Sequence, residues 1–152
     1  MVEIGGYIEL DTYRLPMLHE NAIKLNCGRN ALAYLIESKN IKKLYIPKFN
    51  CDCITDLCKR MSIDFDTYLI DKELRPIFDK ELNADEYLYL INYYGQISNT
   101  EIEVYKGKYK NIIVDNAQAY FQMPVEGIDT LYTCRKFFGV SDGAILYTDK
   151  KL

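Results

Sequence analysis

The sequence predicts an α/β domain of three layers, with helices on both faces of a mainly parallel sheet. Three observations carry that expectation. Six short segments are apolar and rich in β-branched or aromatic residues, as buried strands are. Helical periodicity fills the gaps between the earlier ones. The 152 residues, 49% of them hydrophobic, suffice for one domain with a real core, and no repeat, linker or low-complexity stretch divides them.

In chain order, "NALAYLIES" (Asn30–Ser38) comes first, with Ala31, Leu32, Leu35 and Ile36 on one helical face. The strand "KLYIP" (Lys43–Pro47) follows, and then "ITDLCKRM", whose Ile54, Leu57, Cys58 and Met61 share a second helical face. "DTYLID" (Asp66–Asp71) and "YLYLINYY" (Tyr87–Tyr94) read as strands. "EIEVYKGKY" is a weaker third helix, interrupted by Gly107. "NIIVD" (Asn111–Asp115), "DTLYT" (Asp129–Thr133) and "GAILYT" (Gly143–Thr148) complete the strands. No helical pattern separates these last three, which points to antiparallel, hairpin-like pairing near the C-terminus.

Composition excludes several function classes. A net charge of -3 and a pI near 5.2 do not suit a nucleic-acid backbone binder. No apolar run reaches the roughly 20 residues that span a membrane. The opening "MVEIGGYIELD" has neither the basic nor the apolar region of an export leader. Five cysteines, an odd number without a secreted spacing, then predict reduced thiols in a cytoplasm. Cys51, Cys53 and Cys58 in "CDCITDLC" lack a fourth ligand and the usual zinc spacing, so no metal site is expected.

Three features carry chemistry. "NCGRNAL" (Asn26–Leu32) opens a helix on a glycine and polar residues; it is either an ordinary cap or an anion seat made by free amides and the helix dipole. Asp115, at the end of an apolar strand, with Gln118 three residues on, either caps the next turn or holds a cationic ring nitrogen. Lys136, flanked by Phe137, Phe138 and Arg135, is either a loop lysine or an amine kept neutral by partial desolvation and a like charge. Asp115 and Lys136 both follow strands, where ligands of parallel sheets gather. Lys48 is a second candidate amine, placed less well, and the lone His19 is assigned no role. A dinucleotide fingerprint G-x-G-x-x-G is absent.

The segments "LNCGRNAL", "YIPKFNCD", "NYYGQ", "IIVDNAQAYF" and "RKFFGVSDGAILYTDKKL", in that order, resemble the DegT/DnrJ/EryC1/StrS group of fold type I, pyridoxal-phosphate-dependent sugar aminotransferases. The resemblance implies Lys136 as the lysine that bonds pyridoxal 5'-phosphate (PLP) and Asp115 as the partner of its pyridinium nitrogen. It implies Gln118 on the 3-hydroxyl, with Gly28, Arg29, Asn30 and Thr133 around the phosphate. Cys51 stands where many members stack an aromatic residue on the ring. The implied function is transamination of a nucleotide-linked keto-sugar with an amino-acid donor, in a homodimer. Chains of that group have two domains and are more than twice as long. Residues 1–152 are therefore expected to form a single, incomplete large domain lacking the C-terminal small domain. The alternative expectation is a non-catalytic remnant of the same fold that binds a partner or itself.

Overall fold

The computed structural model describes residues 16–152. The reading of residues 1–11 as carrying no export leader lies outside them. β1 (Ile23–Leu25) leads into α1 (Gly28–Ser38), and β2 (Lys43–Pro47) into α2 (Asp52–Met61). β3 (Asp64–Ile70) forms a hairpin with β4 (Pro76–Ile77). After β5 (Glu86–Ile91) come a 3₁₀ turn at Tyr93–Gly95, α3 (Asn99–Tyr109), β6 (Ile112–Asp115), β7 (Asp129–Thr133) and β8 (Ala144–Tyr147). The eight strands of the described residues form one sheet in the order β1-β8-β7-β6-β5-β2-β3-β4. The run β7-β6-β5-β2-β3 is parallel, while β8 pairs antiparallel with both β7 and β1.

Alternation along the strands sends consecutive residues to opposite faces. Leu44, Ile46, Tyr89, Ile91 and Ile113 meet Leu32 and Leu35 of α1 and Leu57 of α2. Tyr45, Leu88, Leu90, Ile112 and Val114 meet Ile102 and Tyr109 of α3 on the other side. Both faces are covered, which is why the strands are apolar throughout rather than alternating. The three-layer α/β expectation holds. The many tyrosines serve it: buried hydroxyls of Tyr68, Tyr109 and Tyr132 donate to the carbonyls of Tyr89, Phe78 and Gln122.

Several element boundaries depart from expectation. β1 and β4 are too short for a period to register, and the sequence reading missed both. The strand expected to reach Tyr94 stops at Ile91, because the side chain of Asn92 takes over the hydrogen bonding. Its Oδ1 accepts from the Ile97 amide at 2.9 Å, and Tyr94 then turns left-handed at φ 53°. α3 begins two residues earlier than expected because Ser98 and Glu101 form a capping box. The expected antiparallel pairing is right for β7 and β8 but wrong for β6 and β7, which are parallel. Residues Asn116–Ile128 are long enough to carry the chain back across the sheet without a helix.

Gly107 lies inside α3, and a Cβ there would meet nothing within 4 Å. Gly107→Ala is therefore expected to stabilise the chain by about 0.5–1 kcal/mol, read as a shift in denaturation midpoint. His19 is fully buried against Tyr120, Tyr132 and Tyr147. Its Nε2 donates to the Tyr120 carbonyl at 2.9 Å, leaving Nδ1 to accept from the Tyr147 hydroxyl at 3.0 Å. The histidine thus ties residues ahead of β1 to the connection that follows Asp115.

Candidate active site

A cavity of about 560 Å³ opens beyond the carboxyl ends of β2, β5, β6 and β7, on the face covered by α1 and α2. It lies where the strand order reverses, β2 leading to β3 on one side and flanked by β5 on the other. Its size suits a small cofactor. Gly28, Arg29, Asp115, Gln118, Thr133 and Lys136 all line it. Residues far apart in sequence meet there because parallel strands deliver their C-terminal ends to one edge.

The N-termini of α1 and α2 both open onto this edge. Neither N-cap, Cys27 or Cys51, makes a side-chain cap hydrogen bond. The Asn30 and Ala31 amides donate back to the Cys27 carbonyl, so the free amides of α1 are those of Gly28 and Arg29. Asn30 does not line the cavity, and its side chain donates to Asn26 Oδ1 at 2.7 Å. Thr133 lines the cavity, and its hydroxyl donates to the Gly143 carbonyl at 3.4 Å.

Asp115 ends β6 and is buried. Its Oδ2 accepts from the Tyr89 hydroxyl at 2.6 Å, and its Oδ1 from the Ala117 amide at 2.8 Å. Burial pushes its carboxyl above the ordinary range; the Tyr89 and Ala117 donors and the Lys136 ammonium oppose that shift. Among the described residues it forms no ion pair. Gln118 follows on the same turn, and its Oε1 accepts from the Tyr94 amide at 3.2 Å. A buried amide network fixes the loops behind: Asn92 Nδ2 donates to Asn116 Oδ1 at 3.1 Å and to Gln122 Oε1 at 2.8 Å.

Lys136 lines the cavity from the turn after β7 and is exposed. This corrects the expected partial desolvation. Phe137 and Phe138 turn away to pack on Tyr120 and Phe121 instead of shielding the amine. Lys48 is also exposed and does not line the cavity.

Sequence reasoning gave no part in the site to Phe49, Tyr89, Tyr93 or Cys53, and used Arg135 only as a neighbour of Lys136. Arg135 adds a third cation beside Arg29 and Lys136, against the single carboxylate of Asp115. The aromatic wall comes from Phe49 and Tyr93, stacked with centroids 5.5 Å apart and planes at 27°. The Tyr93 hydroxyl donates to the Phe49 carbonyl. Tyr89 reads as core from its apolar strand; the available signal was that a buried phenol needs an acceptor. Cys51 is the N-cap of α2 and Cys53 lies in its first turn, and burial together with the neighbouring Cys51 pushes the Cys53 thiol up to about 12. Among the described residues no group of three or more His, Cys, Asp or Glu is placed to hold a metal ion. No helix among them is long and apolar enough to cross a membrane.

The arrangement fits PLP by its donor set. A buried carboxylate without a paired cation suits a cationic ring nitrogen, and free helix amides with arginines suit a phosphate. A lysine on the same cavity supplies an amine, and an aromatic wall faces the space between.

No family model matches the sequence, and no curated protein matches it. Solved structures do match. A 3-amino-5-hydroxybenzoic acid synthase superposes with a TM-score of 0.68 at 11% identity, covering 84% of this chain and 38% of that one. DesV of S. venezuelae, solved with a ketimine intermediate, gives 0.67 at 15% identity over 84% and 39%. A DegT DnrJ EryC1 StrS aminotransferase from Brucella abortus gives 0.61 at 14% over 84% and 41%. The chain spans about two fifths of the length of these structures. It has the fold of the PLP-dependent aminotransferase large domain, as the resemblance implied.

Proposed function

We propose that this cavity binds PLP and that the chain carries the cofactor half of an aminotransferase acting on a nucleotide-linked keto-sugar with an amino-acid donor. The observation that carries the reading is Asp115: a buried carboxylate with no ion pair among the described residues, in a cavity that Arg29, Arg135 and Lys136 also line. Asp115 holds the ring nitrogen protonated, and Gln118 binds the 3-hydroxyl. Gly28 and Arg29 hold the phosphate with their amides and the Arg29 guanidinium; Thr133 adds a hydroxyl, and Asn30 secures the helix start through Asn26. Lys136 anchors the cofactor covalently. When bound, PLP supplies an electron sink for the carbon next to the amino nitrogen. Once the donor's amine has displaced it from the cofactor, Lys136 Nζ would be free to take the proton from the donor's α-carbon, as a general base.

The substrate class rests on the sequence resemblance described above, and the free thiols fit a cytoplasmic setting. Exposed Phe121, Phe137, Phe138 and Val140 lie on the turns that carry Gln118 and Lys136. They support closure of the site against a second copy of the chain, a proposal that a monomer by sedimentation at high concentration would remove. The same patch favours a second reading, a non-catalytic module that associates with itself; a dimer that retains PLP without turnover would select it.

Ultrafiltration after incubation with PLP tests cofactor binding. We expect about one cofactor retained per chain, competed by inorganic phosphate. Unsaturable retention indifferent to phosphate would overturn the reading.

A further inference from the structure

Tyr89 lines the cavity and has no part yet in the chemistry. It is 1% exposed and sits in β5, beside the strand that ends in Asp115. Ile91 pairs in register with Asp115, and Tyr89 with Ile113. Tyr89 and Asp115 therefore share a face, and the length of the phenol carries its hydroxyl along the sheet to the carboxylate. The 2.6 Å separation is that of a charge-assisted bond. Phenol and acid are both buried, so each satisfies a polar group that water cannot reach. The backbone that carries the ring is held in turn, because the Tyr68 hydroxyl donates to the Tyr89 carbonyl at 2.8 Å.

Two donors on two different oxygens fix the plane of the Asp115 carboxylate, the Ala117 amide providing the second. The other titratable groups around the acid are Cys53 on α2, Tyr93 after β5 and Lys136 after β7. The first two are neutral donors or acceptors, and Lys136 reaches Asp115 only through its field. Among the described residues, Tyr89 is thus the side chain that hydrogen-bonds the acid.

We propose that Tyr89 is a positioning residue: its hydroxyl holds Asp115 ionised and oriented, so that the acid meets the cofactor's ring nitrogen without rearrangement. The proposal rests on the PLP reading for its consequence, though not for its first test. In the unloaded chain, ¹³C-labelled aspartate allows the Asp115 carboxyl to be titrated by NMR. Tyr89→Phe keeps the ring and removes the donor, so Asp115 is expected to titrate at higher pH than in the wild type. Titration at the same pH in both would overturn the proposal, since a purely packing role leaves that pH untouched. If the phenylalanine chain does not fold, 3-fluorotyrosine at position 89 replaces it. Its more acidic phenol is a stronger donor and is expected to move the titration to lower pH; no movement overturns the proposal equally. PLP retention by Tyr89→Phe should then fall about tenfold, as for loss of one hydrogen bond to a charged group. A wild type that titrates as expected yet retains no PLP would sink the cofactor reading and leave the Tyr89–Asp115 coupling standing.

Discussion

Lys136→Ala is expected to abolish covalent capture of PLP. Borohydride treatment of the wild type incubated with the cofactor should leave one pyridoxyl group, mapped by mass spectrometry to the peptide containing Lys136. The alanine chain should carry none above the background of scattered surface lysines. The contrast is all-or-none because, among the described residues, Lys136 is the only lysine lining the cavity, whereas Lys48, the other candidate in the sequence, does not line it. Exposure makes Lys136 accessible to the aldehyde, and the cavity supplies the selectivity by holding the ring and phosphate beside it. Equal labelling of both chains would mean that the amine is not part of the site.

Asp115→Asn should act in two opposite directions. Cofactor retention falls by about 10- to 100-fold, the worth of a hydrogen bond between a carboxylate and a ring cation. The unloaded chain, by contrast, should become more stable. Burial raises the folded-state pKa of Asp115 above its ordinary value, so the folded chain binds this proton more tightly than the unfolded one. Stability contributed by this group is then full at acid pH and is lost as pH rises from the ordinary carboxylate range through the folded value. Asparagine does not titrate there. The gain in melting temperature over the wild type should accordingly be largest at neutral pH and shrink on acidification. A gain that grew toward acid would have the wrong sign for a strained, buried carboxylate. Loss of stability in exchange for binding is a common property of functional sites.

The parts of this site legible in the sequence are those fixed by topology. Asp115 and Thr133 end strands of a parallel sheet, Gln118 and Lys136 follow those strands, and Gly28 and Arg29 open a helix that precedes one; such positions converge whatever the details of packing. Asn30 lies one residue further into α1, where helical rotation and the Cys27 carbonyl have already turned its backbone inward. Tyr89 could not be separated from core residues, because its partner lies on another strand and only the register brings them together. The surroundings of Lys136 were misread for a related reason. Adjacent phenylalanines suggest shielding in a linear sequence, but the turn directs both rings toward Tyr120 and Phe121. Likewise the parallel pairing of β6 with β7 depends on where Asn116–Ile128 runs, which no periodicity records.

Crystals of the chain grown with PLP test the central claim most directly. The account predicts density in the cavity with the ring nitrogen against Asp115, the phosphate at the Gly28 and Arg29 amides, and continuity to Lys136 Nζ. A cofactor bound elsewhere, or lying in this cavity with its phosphate against Asp115, would contradict it.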